Sequence, residues 1–427
     1  MHFRTNSIRP MRSRSATVMK LAAGVGVVGL VVAVRAYGEP ILAREMVVPD
    51  ALTIFDATMD KVAMGFVDRA RFDPAWRESL ADTRAKLAVP VTVGALEDAT
   101  NLLLDRLHSS HTEFLSNADQ EYWALSSVFS RSIDGAPVRQ IGAWFKRIDG
   151  TWFVSSVFEN SPAAAAGLLA GDEIVAVDGA PLRPVASFAD ASASVDVEYR
   201  RDAGASTAHL AIRPKLMSVQ RALLDGMAGS QKVIEAKGRR IGYVHLWIGT
   251  HPDFQTALAH AADTFETTAD AMILDLRDGF GGAGPAYVTP FFDHDDTGKP
   301  IRQRYTKPLV VLINHGTRSG KEWVAELLKA HGRATLIGTR TAGYFRAGMR
   351  FDIAPGRFLL YLAVQSSDTP PRRPRTDAER QKVADDWVDP PALEGVGVSP
   401  DITVESPLPY CAGADPQLQA AIAQLTR

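Results

Sequence analysis

Between about residues 240 and 340, continuous apolar segments alternate with segments of helical periodicity. Helical patterns run from Phe254 to Phe265 and from about Gly320 to His331, and the apolar segments around them are IGYVHLWI, AMILDLR, PLVVLIN and ATLIGTR. Strands that are apolar along their whole length are typical of a sheet covered by helices on both faces. The alternation therefore predicts an α/β core, which we assign to residues 216–427.

Two regions of different texture lie before this core. Residues 51–125 have helical spacing of apolar side chains, as in the series Phe55, Met59, Val62, Phe66 and Leu102, Leu103, Leu104, Leu107. Residues 139–215 contain short β-rich runs, VSSVF, EIVAVDG and VDVEYRR, broken by Gly and Asp turns. The fold class predicted is thus multidomain α/β, with an N-terminal helical region, a mostly β module and an α/β core. The Pro- and Arg-rich stretch Ser366–Glu379 has no hydrophobic periodicity and is predicted to be a mobile loop.

The first 38 residues have the pattern of an export signal. An apolar run, Leu21–Val34, follows a basic segment that contains Arg4, Arg9, Arg12, Arg14 and Lys20. This run is shorter than the roughly 20 residues that span a bilayer as a helix, which favours a signal peptide. Small residues at Ala36 and Gly38 suit a processing enzyme, and an uncleaved signal anchor is the alternative. Both predict an exported body, periplasmic or secreted, with membrane attachment through the apolar segment in the second case.

Charge and cysteine content exclude several classes of partner and site. The chain has 47 Lys and Arg against 49 Asp and Glu, a formal net charge of −2, so no overall field attracts nucleic acid or another polyanion. Cys411 is the only cysteine, which excludes an intrachain disulfide, a cysteine-based zinc site and a CxxC redox motif. We therefore predict no nucleic-acid partner and no metal.

Ser319 is the first candidate for chemistry. In PLVVLINHGTRSGKEWVAELLKAHG an apolar strand ends at Asn314, a polar turn follows, and an amphipathic helix begins just after Ser319. One interpretation is a capping box formed by Ser319 and Glu322. The other is a nucleophile at a helix start, where free N–H groups and the helix dipole suit a developing oxyanion.

A glycine-rich turn follows the neighbouring apolar strand in AMILDLRDGFGGAGP. Its glycines do not have the GxGxxG spacing of a dinucleotide site. The segment GTRSGKE has neither the first glycine nor the final Ser or Thr of the nucleotide-binding motif GxxxxGK[ST]. No nucleotide cofactor is therefore predicted. The amides of Gly281 or Gly282 could instead point at the same place as the helix that begins at Gly320, which would complete an oxyanion hole.

A serine nucleophile needs a base, and the chain has ten histidines. His245 lies within an apolar strand and His331 at a helix end, so their contexts favour structural roles. His111 lies in the polar segment LHSSHTEF after the leucine-rich helix, where Ser110 and Thr112 could orient an imidazole. A surface or capping histidine is the alternative.

Several separated strings occur in the order found in one family. LHSSHTEFL, ILDLRDGFGG and SGKEWVAELLKAHGRATLIGTRTAGY, followed by LEGVGVSPDI, resemble motifs of the C-terminal processing peptidases and their tricorn-core relatives, the S41 serine peptidases. The likeness covers nearly all of the chain after the export signal. It implies an α/β peptidase core that uses acyl-enzyme chemistry without a cofactor.

The mostly β module resembles a PDZ domain. Its phrase SPAAAAGLLAGDEIVAVDG is similar to the PDZ modules of this family, with a short helix that begins near Pro162. By this resemblance, residues Ile141, Gly142, Ala143, Trp144 and Phe145 are the loop and strand that receive a peptide carboxylate and add the peptide as a further strand. A PDZ fold that acts only as a spacer is the alternative.

The resemblance also decides between two catalytic arrangements. One branch of the family pairs the serine with a downstream lysine, and this chain has Tyr344 at that position. Lys321 does not replace it easily, because residues two apart on a helix do not share a face. The tricorn-like branch uses a tetrad, and the matching residues here are Ser110, His111, Ser319 and Glu394.

These roles define the predicted function. The resemblance implies that Ser319 is the nucleophile and His111 the base, and that Ser110 and Glu394 orient them. The sequence leaves open whether Ser110 or Glu394 contacts His111. An unperturbed histidine, with a pKa of about 6.5, would make activity fall at about pH 6 to 7. The prediction is an exported serine endopeptidase that acts on polypeptides, with PDZ recognition of C-terminal tails. The alternatives are an inactive PDZ scaffold or sensor, which a fluorophosphonate would not label, and a serine esterase or amidase.

Overall fold

The computed structural model describes residues 35–36, 39–189, 193–294, 300–364 and 393–427. The basic and apolar segments of the predicted export signal and the predicted loop Ser366–Glu379 lie outside the described residues. The described residues belong to one compact unit. No helix within these ranges combines the length and the apolarity needed to cross a bilayer.

The N-terminal region consists of four helices and a few short strands. Its strands are β1 (Arg35–Ala36), β2 (Glu39–Pro40), β3 (Val47–Val48), β4 (Val91–Thr92) and β5 (Glu113–Ser116). Its helices are α1 (Ala51–Gly65), α2 (Pro74–Lys86), α3 (Val93–Asp105) and α4 (Gln120–Val128), with a 3₁₀ turn at Arg69–Arg71. The predicted apolar series are buried, except that Leu102 is 70% exposed. The helical periodicity is therefore confirmed, with Leu102 assigned to the wrong face.

The middle region is mostly β, as predicted. Its elements are β6 (Val138–Gln140), β7 (Ala143–Ile148), β8 (Thr151–Val157), α5 (Pro162–Ala166), β9 (Glu173–Val177), α6 (Ala186–Ala189), β10 (Val195–Arg200), β11 (Ala208–Ile212) and β12 (Lys215–Met217). Five of them form an antiparallel sheet in the order β11-β10-β9-β8-β7. β7 is therefore an edge strand, and its outer hydrogen-bonding groups are not used by the sheet.

A six-stranded sheet in the order β13-β14-β15-β18-β19-β22 forms the centre of the core. From β14 to β22 neighbouring strands are parallel, and β13 is antiparallel to β14. Its strands are β13 (Lys232–Ala236), β14 (Arg239–His245), β15 (Ala271–Asp275), β18 (Leu309–Ile313), β19 (Thr335–Gly338) and β22 (Ile402–Thr403). The helices are α7 (Val219–Ser230), α8 (Pro252–Thr268), α9 (Gly320–Ala330) and α10 (Pro416–Leu425), with a 3₁₀ turn at Pro285–Val288. The predicted α/β core is confirmed.

A third sheet joins the N-terminal region to the core. β20 (Ala347–Ala354) and β21 (Phe358–Val364) form a hairpin, and β21 pairs with β5 in an antiparallel register that sets Tyr361 opposite Glu113. A separate small hairpin consists of β16 (Phe292–His294) and β17 (Pro300–Gln303). The pairing of β5 with β21 brings the segment that contains His111 to the core.

Candidate active site

Ser319 lies in the turn between a buried strand and a helix. β18 ends at Ile313 and α9 begins at Gly320. The Ser319 backbone has φ of 55° and ψ of −130°, and residues other than glycine seldom take a positive φ except where the surroundings impose it, often at functional sites. The first N–H groups of α9 have no acceptor within the helix, and the helix dipole is positive there. The turn therefore holds Ser319 beside groups that can stabilise a developing negative charge.

The Glu322 carboxylate fixes this turn from inside the protein. It accepts hydrogen bonds from the backbone N–H of Ser319 at 2.8 Å and from the N–H groups of Gly343 and Tyr344, each at 2.7 Å. The Thr341 hydroxyl donates to the same carboxylate at 2.5 Å. Burial raises the pKa of Glu322, and these hydrogen bonds oppose that rise. The Glu322 half of the predicted capping box is thus present, and it also holds the chain segment after β19.

We expect Glu322→Gln to lower both stability and activity. A glutamine would turn its own N–H₂ group towards N–H donors, and a buried donor left without an acceptor costs about 1–3 kcal/mol in the free energy of unfolding. With Ser319 held less firmly, kcat/KM should fall by at least about tenfold. Chemical denaturation and peptide turnover measure the two effects. The control is Glu326→Gln on the same helix, and a Glu322→Gln protein that matches this control would contradict the role of Glu322.

Two glycines let the turn after β15 approach the start of α9. A Cβ added to Gly281 would lie 2.4 Å from the Cβ of Ser319, and one added to Gly320 would lie 2.0 Å from the carbonyl oxygen of Ala283. Any side chain at either position would force the two segments apart. Gly282 follows in the same turn, with φ of 83°. The three predicted oxyanion donors, Gly281, Gly282 and Gly320, line one cavity together with Ser319.

Ser110, His111 and Glu394 form one chain of hydrogen bonds. The Ser110 hydroxyl donates to Glu394 Oε2 at 3.1 Å. Ser110 Oγ also lies 2.8 Å from His111 Nδ1. Because a hydroxyl has a single proton, an Oγ that donates to the carboxylate must accept from Nδ1–H. The imidazole is then the tautomer whose Nε2 has no proton, which is the form that can act as a base.

The Glu394 carboxylate is held in place by backbone groups. Oε1 accepts from the Ser110 N–H at 2.9 Å, and Oε2 accepts from the N–H groups of Phe345 and Arg346 at 2.8 and 3.0 Å. The guanidinium Nε of Arg346 lies 3.6 Å from Oε1. In this arrangement Ser110 contacts the imidazole and Glu394 contacts Ser110, which is the connectivity that the sequence left open.

The His111 ring is buried between two tyrosines. Its centroid lies 5.5 Å from the ring centroid of Tyr344 and 5.1 Å from that of Tyr361. Burial, with a smaller contribution from the positive charge of Arg318, lowers the pKa of His111 to about 3. The structure thus differs from the expectation of an unperturbed histidine, because the ring has lost the water that would stabilise its charged form.

His111 and Ser319 line the same cavity, whose volume is about 1010 Å³. Its wall also contains the glycine-rich turn, apolar residues of α4 and its C-terminal end, and the rings of Tyr344 and Tyr361. Within the described part of the chain, no hydrogen bond joins the Ser319 hydroxyl to His111. Catalytic hydrogen bonds are often long without substrate and shorten when it binds, so this separation does not argue against the pair.

Neither alternative base takes the place of a dyad lysine. Tyr344 occupies that position, and burial raises the pKa of its phenol. The Lys321 ammonium is fully buried, and burial lowers its pKa to about 7. However, its Nζ donates to the carbonyl oxygens of Leu246, Arg277 and Asp278, and Lys321 is absent from the described residues that line the cavity.

Two charged residues at this site, Arg318 and Glu113, were not predicted from the sequence. Arg318 comes directly before Ser319; its Nη1 donates to Glu121 at 2.8 Å, and its guanidinium lies 4.0 Å from the ring centroid of Phe280. Glu113 lies two residues after His111 and lines the same cavity. Their position beside the two candidate catalytic residues was the available signal, but no motif marks them.

The residues predicted to receive a peptide lie at the start of β7. The side-chain amide of Gln120, the first residue of α4, donates to the carbonyl oxygen of Ala143 at 2.9 Å and accepts from the N–H of Phe145 at 3.1 Å. Ile141 and Gly142 belong to the turn before β7, where Gly142 has φ of 76°. The Gln120 side chain therefore makes the two hydrogen bonds on the outer edge of β7 that the backbone of a neighbouring strand would otherwise make.

Trp144 connects this edge to the core. Its ring makes edge contacts with the rings of Phe158, Trp247 and Phe280, at centroid distances of 4.9, 6.0 and 5.7 Å. Phe280 in turn lines the cavity that contains Ser319. The candidate peptide-binding strand and the candidate active site thus share a continuous aromatic contact.

One group of residues has the side chains of a metal site. Asp196, Glu198 and His209 could place one ligand atom each within 4.8 Å of one another, on β10 and β11. His209 Nδ1 is already paired with Asp196 at 2.9 Å. These side chains are exposed or half-buried on the surface of the five-stranded sheet and are not among the residues of the candidate active site.

Comparisons with known proteins agree with this organisation. A model of peptidase family S41 matches residues 286–388, a stretch that contains Ser319, and a PDZ domain model matches residues 153–196. A carboxyl-terminal-processing protease of Synechocystis sp. is 26% identical in an alignment 296 residues long, which covers 62% of this chain and 63% of that protein. A protein of the same name from Picosynechococcus sp. is 27% identical in an alignment 297 residues long, which covers 62% of this chain and 65% of the relative.

The chain thus spans slightly less than two thirds of the length of these relatives. Among solved structures, the photosystem II D1 C-terminal processing protease aligns with 89% of this chain and 98% of its own, at 20% identity and a TM-score of 0.49. The two family models match part of the α/β core and part of the mostly β region. The chain therefore carries a peptidase family S41 domain and a PDZ domain.

Proposed function

We propose that this protein is an exported serine peptidase that cleaves polypeptides, with Ser319 as nucleophile and His111 as base. The observation that carries the proposal is the hydrogen-bonded chain from Glu394 through Ser110 to His111, on the wall of the cavity that Ser319 also lines. The S41 domain and the relatives named as carboxyl-terminal-processing proteases support the reaction class. The basic and apolar N-terminal segments of the sequence support export.

In the proposed reaction, the Ser319 oxygen attacks the carbonyl carbon of the scissile bond while its proton moves to His111 Nε2. The Nδ1–H of the resulting imidazolium donates to Ser110, whose hydroxyl donates to the Glu394 carboxylate, and this chain stabilises the positive charge on the ring. The oxyanion accepts hydrogen bonds from the amides of Gly320 and of Gly281 or Gly282. Collapse breaks the C–N bond, and Nε2 returns the proton to the leaving amine. Water, activated by the same imidazole, then hydrolyses the acyl-enzyme.

A fluorophosphonate and a peptide test this proposal together. The fluorophosphonate should label native protein at Ser319, and heat-denatured protein should not react, because only an activated hydroxyl attacks phosphorus. Peptide cleavage should be lost in proportion to labelling. Labelling without peptide cleavage would favour the esterase or amidase alternative, and the absence of both would favour the inactive scaffold.

The PDZ domain has the proposed role of binding polypeptide tails at β7. A peptide that adds to this edge as a strand needs the Ala143 carbonyl and the Phe145 N–H. These groups are bonded to the Gln120 side chain, so a tail has to displace that amide. Gln120 is thus an internal competitor for the proposed tail site.

We expect Gln120→Ala to tighten tail binding by about fivefold, because displacement of one amide corresponds to about 1 kcal/mol. The probe is a fluorescein-labelled peptide with an apolar C-terminal residue and a free carboxylate, and fluorescence anisotropy gives its Kd. The same peptide with an amidated C-terminus controls for carboxylate recognition, and Gln255→Ala on α8 controls for loss of an amide elsewhere. Unchanged or weaker binding by Gln120→Ala would contradict competition at this edge.

A further inference from the structure

The cavity that contains Ser319 has one carboxylate on its wall without a cationic partner. Of the described residues that line it, Arg318 and Arg346 carry positive charges and Glu113 is the single acidic residue. Arg318 is paired with Glu121 at 2.8 Å, and Arg346 lies 3.6 Å from Glu394. Both cations therefore have their own carboxylates, and no ion pair within the described residues includes Glu113.

Glu113 lies close to the candidate catalytic residues. It is the first residue of β5, two residues after His111, and its partner in the register of β21 is Tyr361. The ring of Tyr361 contacts His111 at a centroid distance of 5.1 Å and Phe129 at 5.8 Å. Leu125 and Val128 of α4 line the same space. A carboxylate between aromatic and aliphatic walls fits a long side chain with an apolar stem and a positive end.

The electrostatic environment of Glu113 agrees with a missing cation. Burial and the charge of Glu121 raise the pKa of Glu113 to about 8; Asp105 adds to this rise and Arg318 opposes it. Of the other titratable groups on this wall in the described part of the chain, Arg346 is charged and lies beside Glu394, whereas His111, Tyr344 and Tyr361 are uncharged at neutral pH. A bound ammonium or guanidinium would give Glu113 the ion-pair partner that it does not have among the described residues, and would favour its ionised form.

We infer that Glu113 selects polypeptide substrates with a lysine or arginine side chain beside the bond that is cut. This inference rests on the proposed peptidase function and adds a substrate class to it. Glu113 acts here as a specificity residue, because its carboxylate contacts the substrate side chain and takes no part in proton transfer at the scissile bond.

The test compares matched peptides that differ at one position, lysine against norleucine, scanned on both sides of the cleavage site. Wild-type protein should cleave the best lysine peptide with a kcat/KM at least about tenfold above its norleucine counterpart, as expected for a charge pair in a partly dry pocket. Glu113→Gln should reduce this ratio to about one, while Glu113→Asp should retain part of the preference. Asp105→Asn removes an exposed charge that helps to raise the pKa of Glu113 without changing the cavity wall, so the ratio at neutral pH should stay at or above the wild-type value.

The pH dependence of the ratio separates charge recognition from a structural effect. Lysine, with a pKa of about 10.4, stays charged up to pH 9, whereas Glu113 ionises as the pH rises through about 8. The wild-type ratio should therefore increase between pH 6.5 and pH 9, and the Glu113→Gln ratio should stay flat. Effects of pH on the catalytic residues cancel, because both peptides use the same machinery.

The two peptides also distinguish loss of the lysine preference from absence of peptidase activity. Equal cleavage of both peptides by wild-type protein, with the same ratio in Glu113→Gln, would overturn the inference and leave the peptidase in place. If neither peptide is cut, the proposed function fails, and binding to Ser319→Ala then decides the inference. Tighter binding of the lysine peptide that depends on Glu113 would support it, and equal binding of the two peptides would overturn it.

Discussion

Ser319→Ala should lower kcat/KM for a peptide substrate by at least about 10⁴-fold, because it removes the covalent route to the acyl-enzyme. The fold should survive. Glu322 holds the backbone N–H of residue 319, which alanine keeps, and loss of a capping hydroxyl costs only about 1 kcal/mol. The measurements are peptide turnover, fluorophosphonate labelling and thermal unfolding of the same preparations.

A second substitution at this position separates activity from stability. Ser319 has φ of 55°, which costs free energy for any residue with a Cβ and costs glycine little. Ser319→Gly should therefore be as inactive as Ser319→Ala and no less stable than the wild type. An alanine variant with nearly normal turnover would show that the nucleophile lies elsewhere.

The strands of the core were predictable because burial on both faces makes each of them apolar along its whole length. The pairing of β5 with β21 was not. These strands lie far apart in the chain, and neither carries a local signal for its partner. This pairing determines where His111 lies, so the position of the base relative to Ser319 depends on the fold and could not be derived from local pattern.

The identity of the candidate catalytic groups came from motifs, whereas their connections came from the structure. Ser110 and Glu394 are 284 residues apart, and their two hydrogen bonds depend on loops that meet only in the folded chain. The low pKa of His111 has the same origin, because it follows from burial by residues of other segments. Glu113 and Arg318 lie beside predicted residues but have no motif of their own.

The PDZ edge shows a different limit of sequence reasoning. Its strand and the short helix that begins near Pro162 were predictable from the resemblance to PDZ domains, and both are present. The contact of Gln120 with β7 was not predictable, because a glutamine at the first position of a helix is ordinary and its partners belong to another domain. A single side-chain contact between two domains leaves no repeating pattern in the sequence from which it could be predicted.

His111→Ala should be nearly as damaging as Ser319→Ala, because residues that act as one catalytic unit lose their effects together. Tyr344→Phe should have a much smaller effect, at most about tenfold in kcat/KM, because it keeps the ring that packs against His111 and removes only a hydroxyl. Ser110→Ala should lie between these two, since Glu394 would lose its hydrogen-bonded connection to the imidazole. The neighbouring Ser109→Ala is the matched control for Ser110.

The pH profile of a neutral peptide checks the same assignment independently. The base must be uncharged to accept the Ser319 proton, and an imidazole with a pKa of about 3 is uncharged throughout the range above pH 4. We therefore expect no loss of kcat/KM assignable to His111 between pH 8 and pH 5, in contrast to the fall at about pH 6 to 7 that an exposed histidine would give. The norleucine peptide is used because its side chain has no charge to pair with Glu113, so its binding does not require ionised Glu113. A mild effect of His111→Ala beside a severe effect of Tyr344→Phe would overturn the histidine assignment, and a steep loss of wild-type kcat/KM near pH 6.5 would contradict the low pKa of His111 in the free enzyme.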